Sequence, residues 1–577
     1  MALAKPWLKQ YGQNVPAEIN PDEYTSLVDL LETAFKQHAR RDMAAYKGSR
    51  WTFAEVDAQS RALAAWLQAQ KLSKGARVAI MMPNLPHYAV AIAGILRAGY
   101  VVVNVNPMYT PRELEHQLND SGAEAIIVLE NVAVTLSEVV ERTPIKHILL
   151  ASAGDVFGAI KGALVTFNAR HIEKLVIDIT LPDNGRCQVT PFKTALQQDR
   201  ALGYTRPVIQ ATDPAFLQYT GGTTGVSKGA TLLHRNVVAN ILQCEAWFKP
   251  ELDKVGGQLI NVVALPMYHV FALTVCYFLS ARMGTMNVMI DNARDVPKLI
   301  KTLKPFKITQ FPAVNTLYNA LVEEPEFAKL DFSRLRVCNG GGMAVQQATA
   351  AEWQRITGVP IVEGYGLSET APVVTVNRLD NTAYNGAIGY PLPSTEIALL
   401  DDDGVQQPIG TPGEISIRGP QVMAGYWGRP DETAKVMTAD GFFRTGDIGV
   451  MAEDGLIKIV DRKKDMILVS GFNVYPNEIE QVVNLHPGVS ECAVIGVPDE
   501  RAGEAVKLFV VRKDYSLTEK DVAAYCKEQL TGYKRPKYIE FREDLPMSNV
   551  GKILRKDLRD EELQAMAAAA AANKKVA

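Results

Sequence analysis

The residues with the clearest chemical potential lie at 219–230, reading YTGGTTGVSKGA. Gly221, Gly222 and Gly225 permit backbone conformations closed to other residues and let main-chain N–H groups converge on an anion. Thr220, Thr223, Thr224 and Ser227 add hydroxyl donors, and Lys228 adds a positive charge suited to phosphate oxygens. The order is not that of a Walker loop, because Ser227 precedes Lys228 and Gly229 follows it. Taken by itself, the segment reads either as a triphosphate cradle or as a Gly/Thr-rich surface turn.

Three further segments extend the first reading. The run YGLSET at 365–370 sets Glu369 among small residues, where a carboxylate suits a magnesium ion carried by phosphates. The run FRTGD at 443–447 puts Asp447 at a turn, able to accept hydrogen bonds from both hydroxyls of a ribose. The run SNVGK at 548–552 presents Lys552 on a glycine-containing loop. Any one of these alone is commonplace, since acids and lysines in turns are usually solvated.

The elements around them predict an α/β chain. Short β-branched runs at 78–81, 100–105, 125–129, 215–219, 260–265, 285–290, 308–311 and 335–339 alternate with helical lengths at 233–248, 296–303 and 345–357. That alternation predicts layered, largely parallel sheets, which bind ligands at strand ends. The 219–230 loop follows one such strand and precedes a helix. From about 386 to 460 the texture changes to short strands punctuated by DDDG, GTPG and EDG, which predicts a small β-barrel-like subdomain. Beyond it, strands at 493–497 and 506–511 and a helix at 518–530 predict a compact α+β unit. The expected division is a large domain over 1–461, a linker at 462–464, a small domain over 465–560 and an alanine-rich tail over 561–577, frayed or disordered and without chemistry. The charge run at 461–465 is also read as a solvated turn.

A chain of 577 residues exceeds the length at which one core stops growing, so two or more domains are expected. Its net charge of −3 provides no overall basic field, and nucleic acid is not an expected partner. Cys187, Cys244, Cys276, Cys338, Cys492 and Cys526 form no CxxC pair, which predicts buried, reduced thiols in the cytoplasm. No transmembrane helix and no secretory signal are expected.

Together, in this order, the motifs resemble the adenylate-forming superfamily of acyl-CoA synthetases, luciferases and peptide-synthetase adenylation domains. Within it, the stretch 440–480 is most similar to bacterial long-chain fatty acyl-CoA ligases. The resemblance implies ATP and CoA as co-substrates, magnesium as cofactor and a fatty acid as the group activated and then transferred to CoA. It makes 220–228 the phosphate loop, with Thr220 and Glu369 beside magnesium and Lys228 facing the departing pyrophosphate. Gly340, Gly341 and Gly342, with Glu363, Gly364, Tyr365, Gly366 and Thr370, become nucleotide-binding segments in which Tyr365 stacks on adenine. Asp447 holds the ribose, and Arg462 reaches the ribose or phosphates. Lys464 matches the hinge, Gly471, Phe472 and Asn473 border the pantetheine channel, and Lys552 matches the catalytic lysine. His269 and Phe271, in an aromatic segment, line the acyl pocket with Val314 and Met343; His269 also reads as a packed core histidine.

Other readings share these motifs: a medium-chain or aromatic acid:CoA ligase, a luciferase-type oxygenase, or a non-catalytic acyl-binding protein at a membrane. The segment 156–176 mixes Phe157, Ile160, Leu164, Val165 and Phe167 with Lys161, Arg170 and Lys174. It reads either as a peripheral membrane contact or as an amphipathic piece packed on the large domain. A homodimer is among the assembly states left open.

Overall fold

The computed structural model describes all residues except 1–4, 156, 175, 177–179, 183–184, 198–202, 221–226, 471, 500, 549–552 and 577. Its largest element is an eight-stranded sheet in the order Gly425–Tyr426, Lys228–Leu233, Pro214–Thr220, Val101–Val105, Arg77–Met81, Ala125–Leu129, His147–Ala151 and Gln188–Pro191. From Pro214–Thr220 to Gln188–Pro191 every pairing is parallel. Helices cover both faces of a parallel sheet, so its central strands read as unbroken apolar runs. Val101–Val105 and Ala125–Leu129 are accordingly buried at every position. The crossover helix Pro111–Ser121 is started by a capping box in which Thr110 and Glu113 satisfy each other's backbone N–H groups, with proline at the first turn.

Lys228–Leu233 turns back antiparallel against Pro214–Thr220, and Thr220 and Lys228 are register partners. The two ends of the 220–228 segment therefore stand opposite one another at a strand end. Two four-stranded sheets complete the α/β part. One runs Ile260–Val263, Met286–Met289, Asp42–Tyr46, Ser49–Thr52; the other runs Cys338–Gly340, Ile361–Gly366, Val373–Val376, Tyr390–Pro391. The expected strand at 308–311 contributes only isolated bridges at Gln310.

The β subdomain is an open antiparallel sheet of Glu396–Leu400, Gly413–Arg418, Phe443–Met451 and Ile457–Arg462. The C-terminal sheet contains Phe472–Val474, Ile467–Val469, Gly503–Arg512 and Val489–Asp499, with Tyr538–Arg542 parallel to Gly503–Arg512. Its apolar clusters begin at Ile467, whereas the main core ends at Ile457, so the two units have separate cores.

Two readings of the C-terminal part differ from the structure. Asp461 and Asp465 are buried rather than solvated, because Arg555 and Arg559 pair with them. The last helix, Arg555–Val576, runs unbroken through the 560/561 division. Its early turns are docked, with Leu558 buried, Glu561 paired to Arg542 and Glu562 to Lys507. All six cysteine side chains are buried.

Candidate active site

The hairpin formed by Pro214–Thr220 and Lys228–Leu233 is anchored from below. Tyr219 donates to Asp120 at 2.7 Å, and Arg429 pairs with the same carboxylate at 2.7 Å. Ser227 Oγ donates to the Thr220 carbonyl at 2.7 Å, closing the loop at its ends, and His116 Nε2 lies 3.1 Å from the Ser227 carbonyl. Gly229 packs closely on the hairpin: a Cβ there would sit 3.1 Å from the Tyr219 ring, which would have to give by a few tenths of an ångström. Gly221, Gly222, Thr223, Thr224 and Gly225 lie outside the described residues.

Lys228 pairs with Glu432 and lies 5.3 Å over the ring of Tyr426. The Tyr426 hydroxyl in turn donates to Glu369 Oε1 at 2.9 Å. Tyr426 thus joins Lys228 to the acid of the YGLSET turn. Neither Tyr426 nor Glu432 stands out in the sequence. Tyr426 arrives through the two-residue strand Gly425–Tyr426, which pairs with Thr231 and Ala230. Glu369 is buried, and burial raises its carboxyl above the usual range.

The YGLSET turn is held by its own backbone and by Thr370. A Cβ on Gly366 would meet the Pro372 carbonyl oxygen at 2.1 Å, so only glycine allows the chain to fold back so closely. Thr370, expected to contact nucleotide, is fully buried. Its hydroxyl bonds to Leu367 N–H at 3.0 Å and to the Pro372 carbonyl at 2.5 Å, which makes it a support for Glu369. Glu363 is likewise directed inward, accepting from Val345 N–H at 3.0 Å, and burial pushes its carboxyl up to about 7.

Across the cleft, Tyr365 donates to Asp447 Oδ2 at 2.6 Å, and Arg462 Nε lies 3.3 Å from Asp447 Oδ1. Asp447 and Arg462 are register partners on adjacent strands, which fixes that pair. The turn before Asp447 is supported by Glu414, another residue missed in the sequence. It accepts from Gly446 N–H at 3.0 Å and pairs with Arg444 at 2.7 Å. A cleft of about 660 Å³ opens beside these groups, lined by Glu369, Tyr426, Lys435, Thr445, Gly446 and Lys463 among others.

The acyl-pocket candidates adjoin the glycine segment. A Cβ on Gly341 would stand 3.1 Å from the Phe271 ring, and one on Gly342 3.7 Å from Val314. Gly340 is buried against Val345 and Ile361 instead. Met343 is half-buried beside them, and His269 is half-buried rather than sealed in the core. Asn84 clamps the chain leading to His269, donating to the Val263 and Leu265 carbonyls at 3.0 and 2.8 Å and accepting from Met267 N–H at 2.8 Å. Gln218, on the strand that carries Thr220, donates to the Tyr268 carbonyl at 2.8 Å. A π-helical turn, Ala272–Phe278, follows; its Thr274 donates to the Ala371 carbonyl at 2.6 Å, tying this segment to the YGLSET turn.

In the C-terminal unit Lys464 is exposed in the linker, and Phe472 is exposed and stacked on Tyr533 with ring centroids 4.7 Å apart. Asn473 is exposed beside it. Gly471 and Lys552 lie outside the described residues; Met547 and Ile553, which flank Lys552, are bridged.

A parallel sheet with a hairpin joining Thr220 to Lys228 at a strand end, and buried Glu369 and Asp447 on adjoining elements, fits the α/β class of enzyme that the sequence resembles. The chain belongs to the AMP-binding enzyme family, which matches residues 31–427, with the AMP-binding enzyme C-terminal domain at 478–552. It is 53% identical over 563 residues to a long-chain-fatty-acid–CoA ligase of Yersinia pestis, spanning 97% of this chain and 99% of the relative. A ligase of the same description from Haemophilus influenzae is 46% identical over 97% of this chain and 99% of its own. Among solved structures, ATP-bound MatB from Rhodopseudomonas palustris superposes with a TM-score of 0.80 at 28% identity, covering 92% of this chain and 98% of that one. The anthranilate CoA ligase AuaEII in complex with anthranoyl-AMP gives 0.81 at 25% identity, covering 95% and 100%.

Replacing Asp447 with alanine removes the acceptor for Tyr365 and the partner of Arg462. Charged hydrogen bonds contribute about 1.5–3 kcal/mol, so the KM for ATP should rise roughly 10- to 100-fold with a smaller change in kcat. An unchanged KM for ATP in steady-state assays would remove Asp447 from nucleotide binding.

Proposed function

We infer that this enzyme activates a long-chain fatty acid as its acyl-AMP with ATP and passes the acyl group to CoA, releasing AMP and pyrophosphate. The observation that carries this reading is the single contact chain Lys228–Tyr426–Glu369 facing Tyr365–Asp447–Arg462, in a chain 53% identical along nearly its whole length to a long-chain-fatty-acid–CoA ligase.

The chemistry explains the residue types. A carboxylate resists attack by a thiol until its oxygen becomes part of a better leaving group. Attack of the carboxylate oxygen on the α-phosphorus of ATP forms the acyl–phosphate bond and breaks the bond to pyrophosphate. The nucleophile is already ionised, so positioned positive charge matters more than a general base. In this reading Lys228 leaves Glu432 to face the departing pyrophosphate, Asp447 holds the ribose, Tyr365 stacks on adenine and Lys552 bridges the carboxylate and α-phosphate. Thr220 and Glu369 fit magnesium, an ion that uses one or two carboxylates and takes its other ligands from phosphates and water. When bound, magnesium neutralises phosphate oxygens. In the second step the CoA sulfur attacks the acyl carbonyl and AMP leaves. The 462–464 linker, turning at Lys464, exchanges Lys552 for the Gly471–Phe472–Asn473 side of the small domain between the two steps.

Chain selectivity rests on apolar burial along Phe271, Val314 and Met343, where each methylene contributes about 0.8 kcal/mol. Incubation with ATP, CoA and a graded set of acids tests this. Long-chain acids should give the highest kcat/KM; a maximum with an aromatic or medium-chain acid would replace the substrate class.

We also place the protein in the cytoplasm with a peripheral membrane contact. No helix among the described residues is long and apolar enough to cross a membrane. Helix Ala159–Phe167 and the turn Asn168–Ile172 expose Ile160 (81%), Leu164 (64%), Phe167 (56%) and Ile172 (66%). The other side of this segment is fixed by the close approach of Gly154 and Gly162, by Lys161 donating to the Lys47 carbonyl at 2.8 Å, and by Arg170 pairing with Glu130 at 2.6 Å. A rigidly held helix with an apolar outer face suits a lipid surface. Ile160→Glu with Leu164→Glu should lower co-sedimentation with anionic vesicles while leaving activity on detergent-dispersed acid intact. Unchanged sedimentation would remove this face from the contact.

A further inference from the structure

The guanidinium of Arg555, on a side chain 14% exposed, has no part in the chemistry described above, yet it gathers side chains from both sides of the proposed hinge. Its Nε and Nη2 bind the two oxygens of Glu480 at 3.0 and 2.5 Å, and Nη2 also donates to Asn477 Oδ1. Nη1 lies 3.4 Å from Asp465 and 3.6 Å from Asp461. Glu480 and Asn477 belong to helix Pro476–Val483, which follows the proposed channel segment. Asp465 comes just after Lys464. Asp461 comes before it, on the strand Ile457–Arg462 that pairs with Phe443–Met451.

Asp461 is completely buried, and its oxygens also accept from Arg462 N–H and Asn477 N–H, both at 2.7 Å. A carboxylate sealed this way depends on a nearby cation. The planar five-donor fork of arginine can serve Glu480, Asn477 and the two aspartates together; a lysine ammonium at the same place cannot. Arg555 opens the last helix, three residues after Lys552 in sequence. Three residues of fully extended chain span at most about 11 Å, so the seat of Arg555 limits where Lys552 can stand.

We propose that Arg555 is a positioning residue that clamps the chain on both sides of the 462–464 hinge and thereby sets the place of Lys552 during acyl-adenylate formation. The proposal rests on the ligase reading above. The contacts to Glu480 and Asn477 travel with the small domain, whereas the contact to Asp461 crosses the pivot.

The test measures the two half-reactions separately in the full-length enzyme: ATP–pyrophosphate exchange with palmitate, and thioester formation from supplied palmitoyl-AMP and CoA. Arg555→Lys should slow exchange roughly 30- to 100-fold, the scale expected when a reacting group is displaced by about 1 Å. The KM for ATP should stay within about threefold, and thioester formation within about threefold, since neither depends on that placement. Asp461→Asn, which removes only the charge across the pivot, should shift the ratio of the two rates in the same direction by less, and it carries the test if Arg555→Lys does not fold. Equal loss in both half-reactions in step with a lowered Tm, or no loss in either, would overturn the proposal. Wild-type enzyme run in parallel reports on the ligase reading itself: no adenylate there would sink that reading, whereas normal wild-type rates with unsplit variant rates would sink only the role of Arg555.

Discussion

Replacing Lys552 with alanine is expected to slow acyl-adenylate formation by about 100- to 1,000-fold, the scale of losing one preorganised group that stabilises transition-state charge. Thioester formation from supplied acyl-AMP should change by less than about fivefold, because that step begins with the carboxylate already neutralised in a mixed anhydride with phosphate. The asymmetry follows from where charge accumulates. As the carboxylate approaches the α-phosphorus, two anions converge beside a cleft that is itself lined by the carboxylates of Glu369, Asp402 and Glu414. Lys228, Arg462 and Lys552 are the cations this reading assigns to offset them, and Lys552 alone is assigned to bridge both reacting groups. Equal loss in the two half-reactions would mean that Lys552 supports the fold or binds CoA.

Glu369→Gln should lower adenylate formation by about 100-fold and raise the magnesium concentration needed for half-maximal rate. Glutamine keeps the shape and the acceptor for Tyr426, whose hydroxyl lies 2.9 Å from the present carboxylate, so Tm should hold while the charge is lost. This separates an electrostatic role from a packing one. Thermal melting together with a magnesium titration of pyrophosphate exchange checks it. An unchanged magnesium dependence would leave Glu369 as a buried acid serving only to hold Tyr426 beneath Lys228.

The parts of the fold legible in the sequence are those whose physics is local. A run such as 125–129 is apolar at every position because both faces of a parallel strand are covered, and the structure places a strand there. The helical length at 233–248 meets a helix that runs His234–Leu252. The run ITQF at 308–311 is also buried throughout, but that stretch meets its neighbours through single bridges only. Apolar content reports burial, and it does not report whether a neighbour runs close enough to build a ladder.

The site was legible as residue types and illegible as contacts. Lys228, Glu369 and Asp447 stand out because glycines and hydroxyls surround them. Tyr426 does not, since its role comes from a two-residue strand that pairs with the far side of the Lys228–Leu233 hairpin strand. Thr370 and Glu363 looked as available as their neighbours, yet Thr370 closes its own turn and Glu363 holds Val345. The run at 461–465 looked solvated because its counter-charges, Arg555 and Arg559, are remote in sequence.

The central claim is that the enzyme cleaves ATP to AMP in order to join a long-chain acid to sulfur. The most direct measurement is product stoichiometry from purified enzyme with magnesium, ATP, CoA and palmitate. One AMP and one pyrophosphate should appear for each palmitoyl-CoA, with none of the three formed when palmitate is omitted. Release of ADP and phosphate in place of AMP, or AMP without thioester when CoA is present, would contradict it.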